Sequence, residues 1–155
     1  MLNIVLSLFA ALTFANIPWN SPPDVVVKML KDGGFTDVKR QKPDYTFHGT
    51  FLNHKAVGTA TMVDKKLVRV VVLLGITDDV PRTGYEEIRA ALIEKYGEPE
   101  NTVVKFKEPF HENDGWESEA IRTGGALFAT QWRDQEGRSV TCHITTDLAV
   151  AITYE

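Results

Sequence analysis

The chain has 155 residues, 43% of them hydrophobic and 25% charged, which is the composition of one folded domain and neither a disordered segment nor a membrane bundle. A chain of this length buries about two-thirds of its unfolded surface, so a core forms without staples. The formal net charge of −4, with Lys and Arg scattered among acidic neighbours, speaks against a general nucleic-acid binder, which needs a basic stripe to displace counterions.

Leu2 to Ala15 is uncharged and almost wholly apolar. A bilayer-spanning helix needs about 20 apolar residues, so this run is too short to cross. It fits the core of a signal peptide, with Thr13 and Ala15 as small residues at −3 and −1 of a cut before Asn16. No Lys or Arg precedes the run, which leaves the α-amine as its only positive charge. The competing reading is a buried N-terminal strand or helix, but the run has neither strand alternation nor a clean helical stripe. The expectation is a signal peptide over 1–15 and a periplasmic or secreted domain over 16–155, with no membrane span in the mature form. Cys142 is the single cysteine, so no internal disulfide is possible and no lipid anchor is expected at the cut.

After a short apolar entry from Asn16 to Asn20, Ser21-Pro22-Pro23-Asp24 predicts a helix start. Ser21 would cap, Pro22 would take the first helical position and Asp24 would favour the positive helix end. Val25, Val26, Met29 and Leu30 form its apolar face, and Gly33-Gly34 ends it. Strand-like runs follow at Phe35–Arg40, Asp44–Leu52, Ala56–Val63 and Leu67–Leu74. In the second, Tyr45, Phe47, Gly49 and Phe51 share one face while Thr46, His48 and Thr50 share the other. Asn53-His54 and Asp64-Lys65-Lys66 read as turns. Leu67–Leu74 is apolar on both faces and belongs at the centre of a sheet.

A second helix is predicted from Thr83, which has capping-box spacing to Glu86. Tyr85, Ile88, Leu92 and Tyr96 recur at helical spacing, and Gly97 and Pro99 end the element. Strands are then expected at Thr102–Lys107, Ala126–Arg133, Arg138–Thr145 and Leu148–Tyr154, with turns at Gln135-Glu136-Gly137 and Thr146-Asp147. The expected fold is α+β: helices packed on an antiparallel meander sheet, as a tandem helix-plus-strands repeat over about 16–76 and 77–155 within one domain. Val26, Leu30, Ile88 and Leu92 should pack against Phe51, Val70, Val72, Trp132, Ile144 and Ile152.

A family resemblance rests on Ile17-Pro18-Trp19 before the first helix, the Gly34-Phe35 exit and Leu92-Ile93-Glu94-Lys95-Tyr96-Gly97-Glu98-Pro99. Trp132 with Ile144 and the terminal Ile152-Thr153-Tyr154 complete it. In these features the chain resembles exported bacterial β-lactamase-inhibitor-protein-like proteins and the related small outer-membrane assembly lipoproteins. The resemblance covers most of the mature chain and implies a helical element before a meander, sometimes duplicated. It also implies protein binding rather than catalysis, by analogy of fold. Glu108 to Gly124 departs from it, since a minimal repeat has no such segment.

No G-x-S-x-G, H-E-x-x-H, Walker or Rossmann motif is present. Alternation turns Cys142 inward with Val140 and Ile144 and turns His143 outward, so the two cannot form a catalytic pair and the thiol reads as structural. Glu108 to Glu119 gathers Glu108, Glu112, Asp114, Glu117 and Glu119 around Phe110, His111 and Trp116. A hard cation on Asp114 and Glu117 near Gly115 is disfavoured, because the spacing does not match a calcium loop. Acid–base carboxylates would need a pocket that the sequence does not show. Phe110 and Trp116 ringed by charge have the character of interface anchors, with Glu112 and Glu117 on the rim, unless both rings fold back onto the sheet.

A second candidate surface is the polar sheet face, carrying Thr46, His48, Thr50, Thr59, Thr61, Gln131, Arg133, Thr141, His143, Thr145 and Thr153. Threonine is also simply a good polar strand former. The functional expectation is an exported protein-binding module: an inhibitor, an immunity-type protein or an envelope assembly factor. It would have no catalytic residue, metal or cofactor, and would contact another protein through Phe110, Trp116, Glu112, Glu117, His48 and His143. The alternative is a small-molecule or peptidoglycan-fragment binder, or a hydrolase, using the acidic segment 108–119 with a surface histidine.

Overall fold

Period-two alternation dominates the chain, and the computed structural model, which describes residues 10–75 and 81–155, resolves it into one antiparallel sheet. In chain order the elements are α1 (Pro23–Asp32), β1 (Thr36–Gln41), β2 (Asp44–Phe51), β3 (His54–Val63) and β4 (Lys66–Gly75). They continue with α2 (Pro81–Tyr96), β5 (Asn101–Phe106), α3 (Glu117–Arg122), β6 (Ala126–Arg133), β7 (Ser139–Ile144) and β8 (Val150–Tyr154). The eight strands lie in the order β1-β2-β3-β4-β8-β7-β6-β5. The first half is a helix followed by a four-strand meander, the second runs α2, β5, α3 and then β6 to β8, and the two meet where β4 pairs antiparallel with β8. The fold is α+β, as expected, with β4 in the middle.

Local chemistry departs from expectation at several ends. Helix α1 begins at Pro23, with Pro22 as its extended cap residue. Ser21 does not cap it: its hydroxyl donates to the Pro18 carbonyl at 2.6 Å and closes the entry turn instead. Helix α2 is already formed at Pro81, so Thr83 and Glu86 sit inside it and make no capping box. The β2–β3 turn is Leu52-Asn53, one residue earlier than predicted, and both residues have positive φ (49° and 64°), as a two-residue hairpin turn of this hand requires. Strand β8 begins at Val150, since Leu148 belongs to the preceding turn. Helix α3, inside the acidic segment, was not expected at all.

The helices cover one face of the sheet, and the core lies between. Val26, Leu30, Ile88 and Leu92 are buried there with Val70, Val72, Trp132, Ile144 and Ile152, while Phe51 is half-buried at the margin. One aromatic group organises the first half. Phe14 packs at 5.2–5.5 Å between ring centroids on Phe35, Phe47, Phe51 and Tyr154. The Phe47 ring lies across Gly58 on the neighbouring strand, where a Cβ would come within 2.1 Å of it. Tyr96 and Tyr154 share a hydroxyl hydrogen bond at 3.1 Å, and Trp132 donates to the Gly97 carbonyl at 2.8 Å.

Leu12 and Phe14 carry this core into the apolar N-terminal run, whereas Ala10 and Ala11 are exposed. Leu12 and Phe14 are buried, Ala10 N–H donates to the Lys95 carbonyl, and the Trp19 indole donates to the Leu12 carbonyl at 3.1 Å. A cut before Asn16 would remove all of these contacts. The rest of the apolar run, residues 1–9, lies outside the described residues, as does the loop 76–80. Among the described residues no helix is long and apolar enough to cross a membrane.

Candidate functional site

The acidic segment leaves β5 and returns to β6 through a closed neck, where Lys107 N–H donates to the Gly125 carbonyl at 2.7 Å. Phe110 fills that neck. Its ring occupies the space over Gly125, where a Cβ would lie 2.6 Å from it, and the residue is half-buried. Ala120 and Ile121 on α3 are buried and fasten the far end of the segment to the domain.

Arg82, in the first turn of α2, binds the segment to the helix layer. Its guanidinium donates to Glu112 at 2.8 Å and Glu117 at 3.4 Å and lies 5.1 Å from the centre of the Phe128 ring. The hydrogen bond to Glu112, helped by the charge of Glu117, raises its pKa above the usual arginine value against the opposing effect of burial. Asp114 turns the tip: its carboxylate accepts the N–H groups of His111 and Trp116, each at 2.8 Å. Those two bonds hold its pKa below the ordinary aspartate value. The carboxylates that sequence reading placed on a binding rim therefore have intramolecular partners.

Trp116 faces outward, 64% exposed, and is the large apolar side chain among the segment's exposed residues, which include His111 and Asn113. The two aromatics expected as joint anchors are separated by the fold: Phe110 packs inward and Trp116 projects from a segment tied down at its neck, at Arg82 and at α3. Sequence reading missed Arg82 and α3. An isolated Arg after a proline carries no pattern of its own, and the only available hint was the sign of its charge against the acidic run.

His48 and His143 both lie on the sheet face opposite the helices. Register connects them through His48–Val57–Leu73–Ala151–His143, four strand spacings and so about 19 Å. They cannot act on one small group together. His48 is exposed, whereas burial lowers the pKa of His143. Val57 and Leu73, adjacent in this row, are 47% and 44% exposed, and Leu127 is exposed on the same face. Cys142 is buried, and burial pushes its thiol up to about 12, far from the range of a nucleophilic cysteine. Among the described residues no three His, Cys, Asp or Glu side chains converge as a metal-ligand set.

Compared with protein-family models, curated proteins and solved structures, the chain matches none.

Proposed function

We propose that this chain is an exported protein-binding module whose principal anchor is Trp116. The observation that carries the reading is a tryptophan 64% exposed on a segment that intramolecular bonds have already ordered. Exposing an indole costs solvation free energy, and holding it in place beforehand lowers the entropy lost on binding. Tryptophan at such a position is typical of the few residues that dominate an interface. The open sheet face, with His48, Val57, Leu73 and His143, supplies a second contact area within the same reading.

Export belongs to the proposal and rests on the apolar run 2–15. The leader proposed is residues 1–15, as the −3 and −1 residues Thr13 and Ala15 require; the packing of Leu12 and Phe14 in the core counts against that cut, and no cut before Leu12 has small residues at both positions. The likeness to β-lactamase-inhibitor-protein-like proteins, and descent of the two halves from one duplicated unit, are also proposals. What supports both is that each half opens with a helix and that its four strands are neighbours in the sheet, with α3 as the departure in the second half.

The test is a photo-crosslinking amino acid placed at position 116 in the native host. The expected result is one discrete protein adduct, absent when the crosslinker sits at Lys31 on α1. Irradiation that gives no adduct, or equal adducts at both positions, overturns the reading.

A further inference from the structure

The charge of this chain is divided unevenly. Residues 1–75 carry nine Lys and Arg against five Asp, whereas residues 76–155 carry eight Lys and Arg against sixteen Asp and Glu. A net charge of −4 thus conceals a basic first half and a strongly acidic second half. The basic half includes the β1 edge of the sheet, and a cavity of about 410 Å³ opens there between the start of α1, the β1–β2 turn and the β3–β4 turn.

Its apolar wall is Pro23, Pro43, Tyr45 and Met62, and Arg40, Lys42 and Lys65 stand around it with Asp64 as the carboxylate of the lining. The wall is fixed, since Asp44 at the start of β2 accepts the Met62 N–H at 3.0 Å. Among the described residues none of Arg40, Lys42 and Lys65 is in an ion pair, in contrast to Arg82, Arg89 and Arg133 of the second half, each of which has a carboxylate partner. Three cations without an ion-pair partner, against Asp64 in the lining and Asp44 behind Met62, leave the cleft an excess of positive charge beside an aromatic and aliphatic wall, which matches a ligand with a large apolar group flanked by negative charge. The cations are spread along an edge strand and two adjoining turns, which suits an extended chain better than a single small anion.

We propose that this cleft receives an extended acidic segment of the partner protein, with one apolar side chain on Tyr45 and Met62 and its carboxylates at Arg40, Lys42 and Lys65. This rests on the protein-binding reading but uses the edge of the sheet remote from the β5 side that carries Trp116.

The probe is a fluorescein-labelled decapeptide of Glu and Asp around a central Leu-Trp, titrated with the full chain and read by fluorescence anisotropy. Saturable binding that weakens with salt is expected. Arg40→Glu with Lys65→Glu should weaken it roughly tenfold or more, as reversal of complementary charges does. Lys31→Glu with Lys55→Glu makes the same change of net charge outside the cleft and should weaken binding by less than about threefold. Arg40→Gln with Lys65→Gln gives the same comparison with less strain on the fold, and an intermediate loss is expected.

Equal losses from both Glu pairs, absence of saturable binding, or displacement by millimolar inorganic phosphate would overturn the proposal. So would salt-sensitive dimers in sedimentation, which would make a second copy the occupant. If the cleft fails while the adduct at position 116 persists, protein binding stands without this site. If peptide binding behaves as expected but no adduct forms at 116, the Trp116 reading fails alone.

Discussion

Phe14→Ala removes a side chain that touches four aromatic rings at the centre of the first half. A phenylalanine side chain buries about 150–250 Å², which at ~25 cal/mol per Å² corresponds to about 4–6 kcal/mol. Residual burial in the unfolded chain reduces that figure, and core Phe→Ala changes cost about 3–5 kcal/mol. Closure of the hole is limited, because Phe47 is held over Gly58 and Tyr154 is bonded to Tyr96. The expected loss is therefore about 3–5 kcal/mol, or roughly 6–20 °C in Tm for a domain of this size. Urea titration followed by far-ultraviolet circular dichroism measures it, with the m-value checked for constancy. A chain beginning at Asn16 should lose at least as much, since it also lacks Leu12 and its hydrogen bond from Trp19. A loss below about 1 kcal/mol for Phe14→Ala would refute the placement of this residue in the core.

Gly58→Ala should cost about 1–3 kcal/mol by overpacking, because the new methyl meets a Phe47 ring that cannot swing away from Phe14 and Phe35; a neutral effect in the same titration would mean that Phe47 is free to move. Arg82→Ala should release the acidic segment without unfolding the sheet. Limited proteolysis with a Glu-specific protease should then cut within 108–119 in the variant and not in the wild type, and equal resistance would show that Arg82 does not hold the segment. The Cys142 thiol is raised from 9.0 to about 12 in the folded protein, so the unfolded chain loses this proton first as pH rises. Its contribution is therefore complete below about pH 9 and disappears as pH climbs toward 12, and burial of Tyr85, Tyr96 and Tyr154 acts in the same direction. The urea midpoint should fall above pH 9, less steeply in Cys142→Ala, and a thiol that reacts with a disulfide reagent in the native protein at pH 8 would contradict its burial.

The strands were legible because apolar alternation in segments such as Tyr45–Phe51 and Val140–Ile144 depends on local pattern alone. The same pattern placed Cys142 inward and His143 outward, as observed. Helix starts were less legible. Ser21 has the right chemistry for a cap, but the two prolines after it shift the helix by one residue and free its hydroxyl for Pro18. The acidic segment was seen as a place but not as a mechanism. Its order comes from Arg82, distant in sequence, and from Gly125, whose missing side chain admits Phe110. Long-range pairing of this kind leaves no local periodicity to read. The basic cleft was overlooked for a similar reason: Arg40, Lys42 and Lys65 are scattered singly in the chain and meet only when two turns come together beside α1.

The claim that Trp116 is a binding residue and not a structural one is tested most directly by affinity capture from a lysate of the native host with wild-type and Trp116→Ala protein, the unfolding free energy of each being measured by urea titration. The two should differ in stability by less than about 0.5 kcal/mol, as for a surface substitution, and the captured protein should be lost with the indole. Capture that survives Trp116→Ala undiminished, or a variant destabilised by about 2 kcal/mol or more, would contradict the claim.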